Sequence, residues 1–123
     1  MIIGTCKIYF RASWVSSLKE KRMILKSIIS KVKHRFNVSI AEIEMQDSHQ
    51  NGVIGIACVS QETQHADQMI QNVINYIENN IEAEIYDIEI EIIWRLDVVF
   101  FIRYNVLETG DNKENMHFSR FTV

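Results

Sequence analysis

The segment from Ser17 to Phe36, SLKEKRMILKSIISKVKHRF, concentrates basic side chains that can bind anions. The first 35 residues include all of this segment except Phe36. They hold nine Lys and Arg and one acid, Glu20, so their local net charge is +8. Residues 36–95 carry a local net charge of -10, and the whole chain carries -3. Because Lys and Arg donate hydrogen bonds to phosphate oxygens, this separation predicts one local contact with a polyanion in an otherwise acidic protein.

The spacing of these cations predicts that several share one flank of a helix. At about 100° per residue, four cations fall within an arc of roughly 60° beside the apolar stripe: Lys19, Arg22, Lys26 and Lys33. We call these four residues the basic ridge. Three further cations are predicted on the other flank: Lys21, Lys31 and Arg35. The ridge is predicted to follow a phosphate backbone.

Two residues of the preceding loop, Arg11 and Trp14, complete the candidate RNA-binding set. We expect Arg11 to anchor the loop and Trp14 to stack on an exposed base. The alternative is that the ridge is only a solvated helical face. The near absence of carboxylates along this helix counts against that alternative, because solvated helices usually carry Glu–Lys pairs four residues apart.

Length and composition indicate one ordinary globular domain. The chain has 123 residues and is 47% apolar and 24% charged, which is typical of such proteins. No apolar run is long enough to span a bilayer, and the start, MIIGTCKIYF, lacks the features of a signal peptide. We therefore expect a cytoplasmic protein without a membrane partner.

Hydropathy patterning predicts the order strand, helix, strand, strand, helix, strand. Ser17 followed by Glu20 matches a capping box at the start of the first helix, and Asn51-Gly52 is a common hairpin turn signal. Two split βαβ units of this kind build an α+β, ferredoxin-like βαββαβ sandwich. Its four-stranded antiparallel sheet has both helices on one face and the first and third strands in the middle.

The last residues fall outside this unit. We predict a ferredoxin-like domain at residues 1–95 and a C-terminal extension at residues 96–123. Within the extension, Val98 to Ile102 is predicted to form a fifth strand or a partner-facing segment, or else to belong to a tail without stable structure. The polar residues 109–123 are predicted to be mobile.

The run from Ser17 to Arg22, together with Arg35-Phe36-Asn37-Val38 and an alternating acidic last strand, resembles the YlxP-like family of small bacterial proteins. The resemblance covers about residues 1–95. It implies a ferredoxin-like fold, and it implies a connection to RNA or the ribosome because such genes lie among translation and ribosome-maturation genes. It carries over no catalytic residues. Such proteins usually stop near position 95, so the resemblance does not extend to residues 96–123.

Enzymatic chemistry is a weaker interpretation of these residues. Acylphosphatases share this strand order and bind phosphate between the first strand and first helix, where FRASWVSS lacks the glycines that let backbone N–H groups surround an anion. Asp47 and His49 lie in a predicted turn that would not exclude water. Cys6 and Cys58 lie in apolar strands and are predicted to be reduced and buried. We expect no catalysis, cofactor or metal.

The face of the sheet opposite the helices is predicted not to bind RNA. RNA-recognition domains of this fold stack bases on aromatic residues of the two central strands, whereas the third strand here offers Gly55, Ala57 and Val59. Acidic residues would frame that face and repel phosphate. It suits protein pairing instead, so the alternative function is an adaptor or homodimerisation module that uses the sheet face and the apolar tail. Because phosphate contacts do not read sequence, we expect no DNA sequence specificity.

Overall fold

A computed structural model describes the backbone of residues 1–95, 98–104 and 117–122 and the side chains of residues 1–93. The elements are β1 (Ile2–Arg11), α1 (Leu18–Arg35), β2 (Ser39–Glu44), β3 (Asn51–Ser60), α2 (Thr63–Asn80), β4 (Glu84–Arg95), β5 (Val98–Tyr104) and β6 (His117–Thr122). The strands form one sheet in the order β2-β3-β1-β4-β5-β6. The first six elements confirm the predicted α+β, ferredoxin-like order, with β1 and β3 inside the four-stranded unit.

Strands β5 and β6 continue the sheet beyond β4, so the described part of the extension pairs with the sheet of the preceding residues. The division into a domain at residues 1–95 and an extension at residues 96–123 stays a prediction. The mobile tail predicted for residues 109–123 includes β6, and its other residues lie outside those that the structure describes.

Local chemistry explains where α1 begins and ends. The Ser17 hydroxyl accepts a hydrogen bond from the backbone N–H of Glu20 at 3.2 Å, which confirms the predicted N-cap. The Glu20 carboxylate in turn accepts hydrogen bonds from the hydroxyls of Ser16 and Ser17. The helix ends at Arg35, and Phe36 donates its backbone N–H to the carbonyl of Val32. A side-chain cap therefore holds the start of α1 in place.

The core lies between the two helices and one face of the sheet. Alternate residues of β1, namely Cys6, Ile8 and Phe10, point into it and are buried, as a strand with one covered face requires. Ile8 lies opposite Ile54 of β3 and Ile88 of β4. Burial of apolar side chains from all three strands against the helices fixes the register of the sheet.

One detail of the β2–β3 hairpin differs from its prediction. Asn51 and Gly52 do not form the turn but begin β3, where Gly52 lies opposite Phe10. The chain turns earlier in the same polar segment, at Gln46 and Asp47, directly after Met45, which has a φ of 62°. Such a left-handed conformation is uncommon for a residue other than glycine, asparagine or aspartate. Gly52 is instead required for space, because a Cβ there would lie 2.3 Å from Cζ of Phe10.

Candidate functional site

The basic ridge occupies an exposed flank of α1. The helix turns its apolar stripe, including Leu25, Ile28 and Val32, toward the sheet. This orientation leaves the four ridge cations exposed: Lys19, Arg22, Lys26 and Lys33. Trp14, in the loop before α1, is also exposed, as is Arg11, which was predicted in that loop but is the last residue of β1. Their role in binding RNA stays a prediction.

Within residues 1–93, no carboxylate forms an ion pair with a ridge cation. Among the residues whose side chains are described, the ion pairs join Lys7 to Glu44, Lys21 to Glu42 and His65 to Glu62, and none includes a ridge cation. An exposed ion pair would neutralise a ridge cation only weakly. Among the described residues, the ridge cations lack even such a pair. The ridge therefore presents four positive charges to whatever approaches it.

The prediction that Lys21 lies on a surface flank of α1 is wrong. Its side chain is fully buried, at 0% exposure. The ammonium Nζ donates hydrogen bonds to the carbonyl oxygens of Met45 at 2.8 Å and Asn51 at 3.0 Å, and it lies 3.2 Å from a carboxylate oxygen of Glu42. A buried charge is tolerated only when it is paired and hydrogen-bonded in this way. Lys21 thus ties α1 to the β2–β3 hairpin and is not available to a ligand.

Helical spacing contained a signal for this burial. Lys21 stands four residues before Leu25 and seven before Ile28, so it lies within the apolar stripe of α1. The carbonyl groups that accept hydrogen bonds from its ammonium lie in the hairpin. Hydropathy patterning does not show which way these carbonyl groups point.

Gln50 is a positioning residue that the sequence did not reveal. Its side-chain amide donates hydrogen bonds to the carbonyls of Ser13 at 3.0 Å and Val15 at 3.3 Å, the residues on either side of Trp14. The backbone N–H of Ala12 also donates to the Gln50 carbonyl at 2.8 Å. The hairpin thereby holds the loop that presents the Trp14 indole.

The opposite flank of α1 faces α2. The Arg35 guanidinium lies 5.0 Å from the centre of the Tyr76 ring, within the range of a cation–π interaction. Phe36 meets the same ring edge-on at 5.5 Å. Arg35 is therefore engaged with α2, and its position separates it from the ridge.

A groove runs between α1 and the segment that joins α2 to β4. It encloses about 280 Å³. Apolar and polar side chains line it: Trp14, Glu20, Met23, Ile24, Ser27, Ile28, Lys31, Asn80, Ile81 and Glu82. Trp14 is 58% exposed and Met23 is 64% exposed. The groove therefore joins an accessible aromatic ring to an apolar floor.

The open face of the sheet is partly acidic and partly apolar. Lys7 pairs with Glu44 at 2.9 Å, and this hydrogen bond raises the pKa of the Lys7 ammonium. The Tyr9 hydroxyl donates to Glu89 at 3.2 Å, and burial, followed by the charge of Glu89, raises the pKa of Tyr9. The ring of Tyr9 is thus held among carboxylates, where a phosphate would be repelled.

The two cysteines are free and buried. Burial raises the pKa of the Cys6 thiol well above its ordinary value, which keeps it protonated and a poor nucleophile. Within residues 1–93, three or more His, Cys, Asp or Glu side chains are not grouped as a metal site would require. No helix in the described ranges is long and apolar enough to cross a membrane.

Comparison with known proteins identifies the family of this chain. Residues 3–90 match a family described as protein of unknown function (DUF503). A relative, the uncharacterized protein YlxP of Bacillus subtilis (strain 168), is 44% identical over 68 residues, which cover 55% of this chain and 74% of the relative. The chain therefore belongs to this YlxP-like family of proteins of unknown function.

Proposed function

We propose that this protein is a non-catalytic cytoplasmic RNA-binding protein that contacts RNA, or a ribosomal subunit, through α1. The observation that carries the proposal is the set of four exposed ridge cations without a carboxylate partner among the described residues. Phosphate contacts from Lys and Arg supply most of the affinity of sequence-independent nucleic-acid binding. The proposed role is to assist translation or ribosome assembly, as the resemblance to YlxP-like proteins implies.

The geometry of α1 supports this use of the ridge. Residues three, four and seven positions apart lie one above another on a helix, so Lys19, Arg22, Lys26 and Lys33 form a line along the axis rather than a scattered set. An RNA backbone laid along this line meets one cation about every turn or two. The acidic remainder of the chain disfavours the same contact elsewhere.

The test is binding across a salt series. Labelled single-stranded RNA is titrated with the full chain while anisotropy is recorded, and co-sedimentation with ribosomal subunits is measured in parallel. Four phosphate contacts predict a slope of about -3 in the logarithm of affinity against the logarithm of salt concentration. Substitution of Lys19, Arg22, Lys26 and Lys33 by Gln should abolish most of this slope.

A control of equal net charge separates a local contact from a general electrostatic effect. Substitution of Gln64, Gln68, Asn72 and Asn79 on the exposed surface of α2 by Glu changes the net charge of -3 by four units, as the ridge substitutions do. We expect this control to keep at least half of the RNA affinity. Equal losses in the two variants, or no binding of the natural chain at low salt, would contradict the proposal.

A second candidate function is homodimerisation through the open face of the sheet. Val59 is 70% exposed on this face, and Ile43 and Met45 are exposed near it. An apolar interface responds little to salt, whereas the ridge contact responds steeply. Light scattering after size-exclusion chromatography tests this candidate: it requires a dimer that Val59→Glu converts to monomer at both low and high salt.

A further inference from the structure

The groove on the flank of α1 that faces the end of α2 has the features of a site for a flat, partly apolar ligand. Its floor is formed by Ile24, Ile28 and Ile81, and its entrance by Trp14 and Met23. At about 280 Å³ it is close to the lower end of small-ligand clefts, roughly 300 Å³. The volume and the floor suit a single ring system rather than an extended molecule.

The loop that carries the indole is fixed before any ligand arrives. Val15 is buried against Ala12 and Ile24, and Gln50 donates to the carbonyls on both sides of Trp14. A stacking ring that is already held in place loses little conformational freedom on binding. Trp14 therefore offers a preorganised surface for stacking.

The carboxylates at the rim of the groove exclude phosphate from the groove itself but not from the cations around it. Glu20 and Glu82 line the groove, and carboxylates repel phosphate but accept hydrogen bonds from the N–H groups of base edges. Lys31 lines the same groove, and Met23 at its entrance stands four residues after Lys19 of the ridge, so these two side chains are neighbours on successive turns of α1. A nucleotide can therefore place its base in the groove and its phosphates on cations outside.

We propose that this groove binds one unpaired nucleobase of an RNA strand whose phosphates lie along the basic ridge. The inference rests on the proposed function and restricts it to single-stranded or bulged RNA. A base held in a duplex is stacked and paired, so it cannot enter the groove.

The test uses Trp14 as its own reporter. The chain has two tryptophans, so in the full chain with Trp94→Phe the emission comes from Trp14 alone. The probes are a single-stranded RNA 10-mer, the same length of abasic ribose-phosphate chain, and a duplex of that RNA. We expect only the single strand to quench Trp14 emission, and we expect it to bind about tenfold more tightly than the abasic chain.

Two variants locate the effect, with labelled-strand anisotropy on the otherwise natural chain as the measurement. Trp14→Ala should weaken binding of the single strand about tenfold and leave the abasic chain unchanged. His34→Ala, an exposed change on α1 outside the groove lining, should change neither. A third variant, with the four ridge residues substituted by Gln, should weaken binding of both the single-stranded RNA and the abasic chain.

The outcomes distinguish this inference from the proposed function. Equal affinity for the abasic chain and the single strand, with unchanged Trp14 emission, would overturn the base-binding groove and leave the ridge contact standing. Tighter binding of the duplex than of the single strand would also overturn it. Failure of every strand to bind would remove the proposed function and the inference together.

Discussion

Lys21 joins α1 to the β2–β3 hairpin, and the pattern of apolar residues does not predict this connection. Its side chain is fully buried, and its ammonium reaches carbonyl groups of the hairpin and the carboxylate of Glu42. One carboxylate oxygen of Glu42 is buried and makes no hydrogen bond other than this ion pair. The two charges therefore depend on each other.

Removal of the Lys21 ammonium should be strongly destabilising. In Lys21→Met the buried Glu42 charge and the hairpin carbonyls lose their partner, and we expect the free energy of unfolding to fall by about 3–5 kcal/mol. The measurement is urea denaturation followed by circular dichroism. Lys19→Met, an exposed change two residues earlier in α1, is the matched control and should stay within about 0.5 kcal/mol of the natural chain. A loss below about 1 kcal/mol in Lys21→Met would mean that the buried pair contributes no net stability.

At the scale of elements, the periodic spacing of apolar residues predicted which faces of the strands and helices are buried. Apolar residues alternate along β1 and recur at helical spacing along α2, at Ala66, Ile70, Val73 and Ile77. The structure buries these faces. The order of the elements then left few topologies, because crossovers are right-handed. The exposed ridge follows from the same reasoning, since a helix with one covered stripe must expose the other flank.

The position of the turn within the predicted hairpin was wrong because the geometry of the hairpin depends on contacts distant in sequence. Asn51-Gly52 is a turn signal in isolation, but Gly52 is placed in β3 by the ring of Phe10 on the neighbouring strand. The turn directly follows Met45, whose carbonyl accepts from Lys21. Neither partner can be read from the residues of the hairpin itself. The groove at Trp14 was missed for the same reason, because its lining comes from α1 and from the end of α2.

A methyl group at position 52 tests the close approach of β1 and β3. Gly52→Ala forces the Phe10 ring to move, and we expect a loss of about 1–3 kcal/mol in the free energy of unfolding, measured by urea denaturation. Phe10→Leu alone should also destabilise, because it shortens a core side chain. The double variant should lose less than the sum of the two single losses, since the smaller side chain leaves room for the methyl group. Strict additivity would show that Phe10 is not what excludes a side chain at position 52.

At the scale of the whole molecule, the surface separates charge instead of mixing it. Seven of the nine Lys and Arg whose side chains the structure describes lie on α1, four of them in the ridge. Carboxylates such as Glu44, Glu89 and Glu91 frame the open face of the sheet. Mixed charges would stabilise the fold more, because neighbouring like charges on a helix repel. This arrangement is typical of a surface that serves a partner at some cost in stability.

Removal of the ridge charges should therefore stabilise the protein slightly. Two like-charge pairs disappear when the ridge is changed to Gln, Lys19 with Arg22 and Arg22 with Lys26, each with an unfavourable energy of about 0.2–0.5 kcal/mol. We expect the unfolding free energy at 10 mM salt to rise by about 0.4–1 kcal/mol, measured by urea denaturation. In about 1 M salt the gain should vanish because the screening length falls to about 3 Å. The α2 variant with four added Glu should show no gain, and a gain that persists at high salt would point to helix propensity rather than repulsion.

The central position of β1 in the sheet has a consequence for folding during synthesis of the chain. β1 leaves the ribosome before β3 and β4, yet it pairs along one edge with β3 and along the other with β4, where Ile3 lies opposite Ile93. At roughly 5–20 residues per second, the interval between synthesis of these two strands is on the order of ten seconds. Throughout that interval the alternating apolar residues of β1 lack one of their permanent neighbours. The nascent protein must therefore remain attached to its ribosome with an incomplete sheet until β4 emerges.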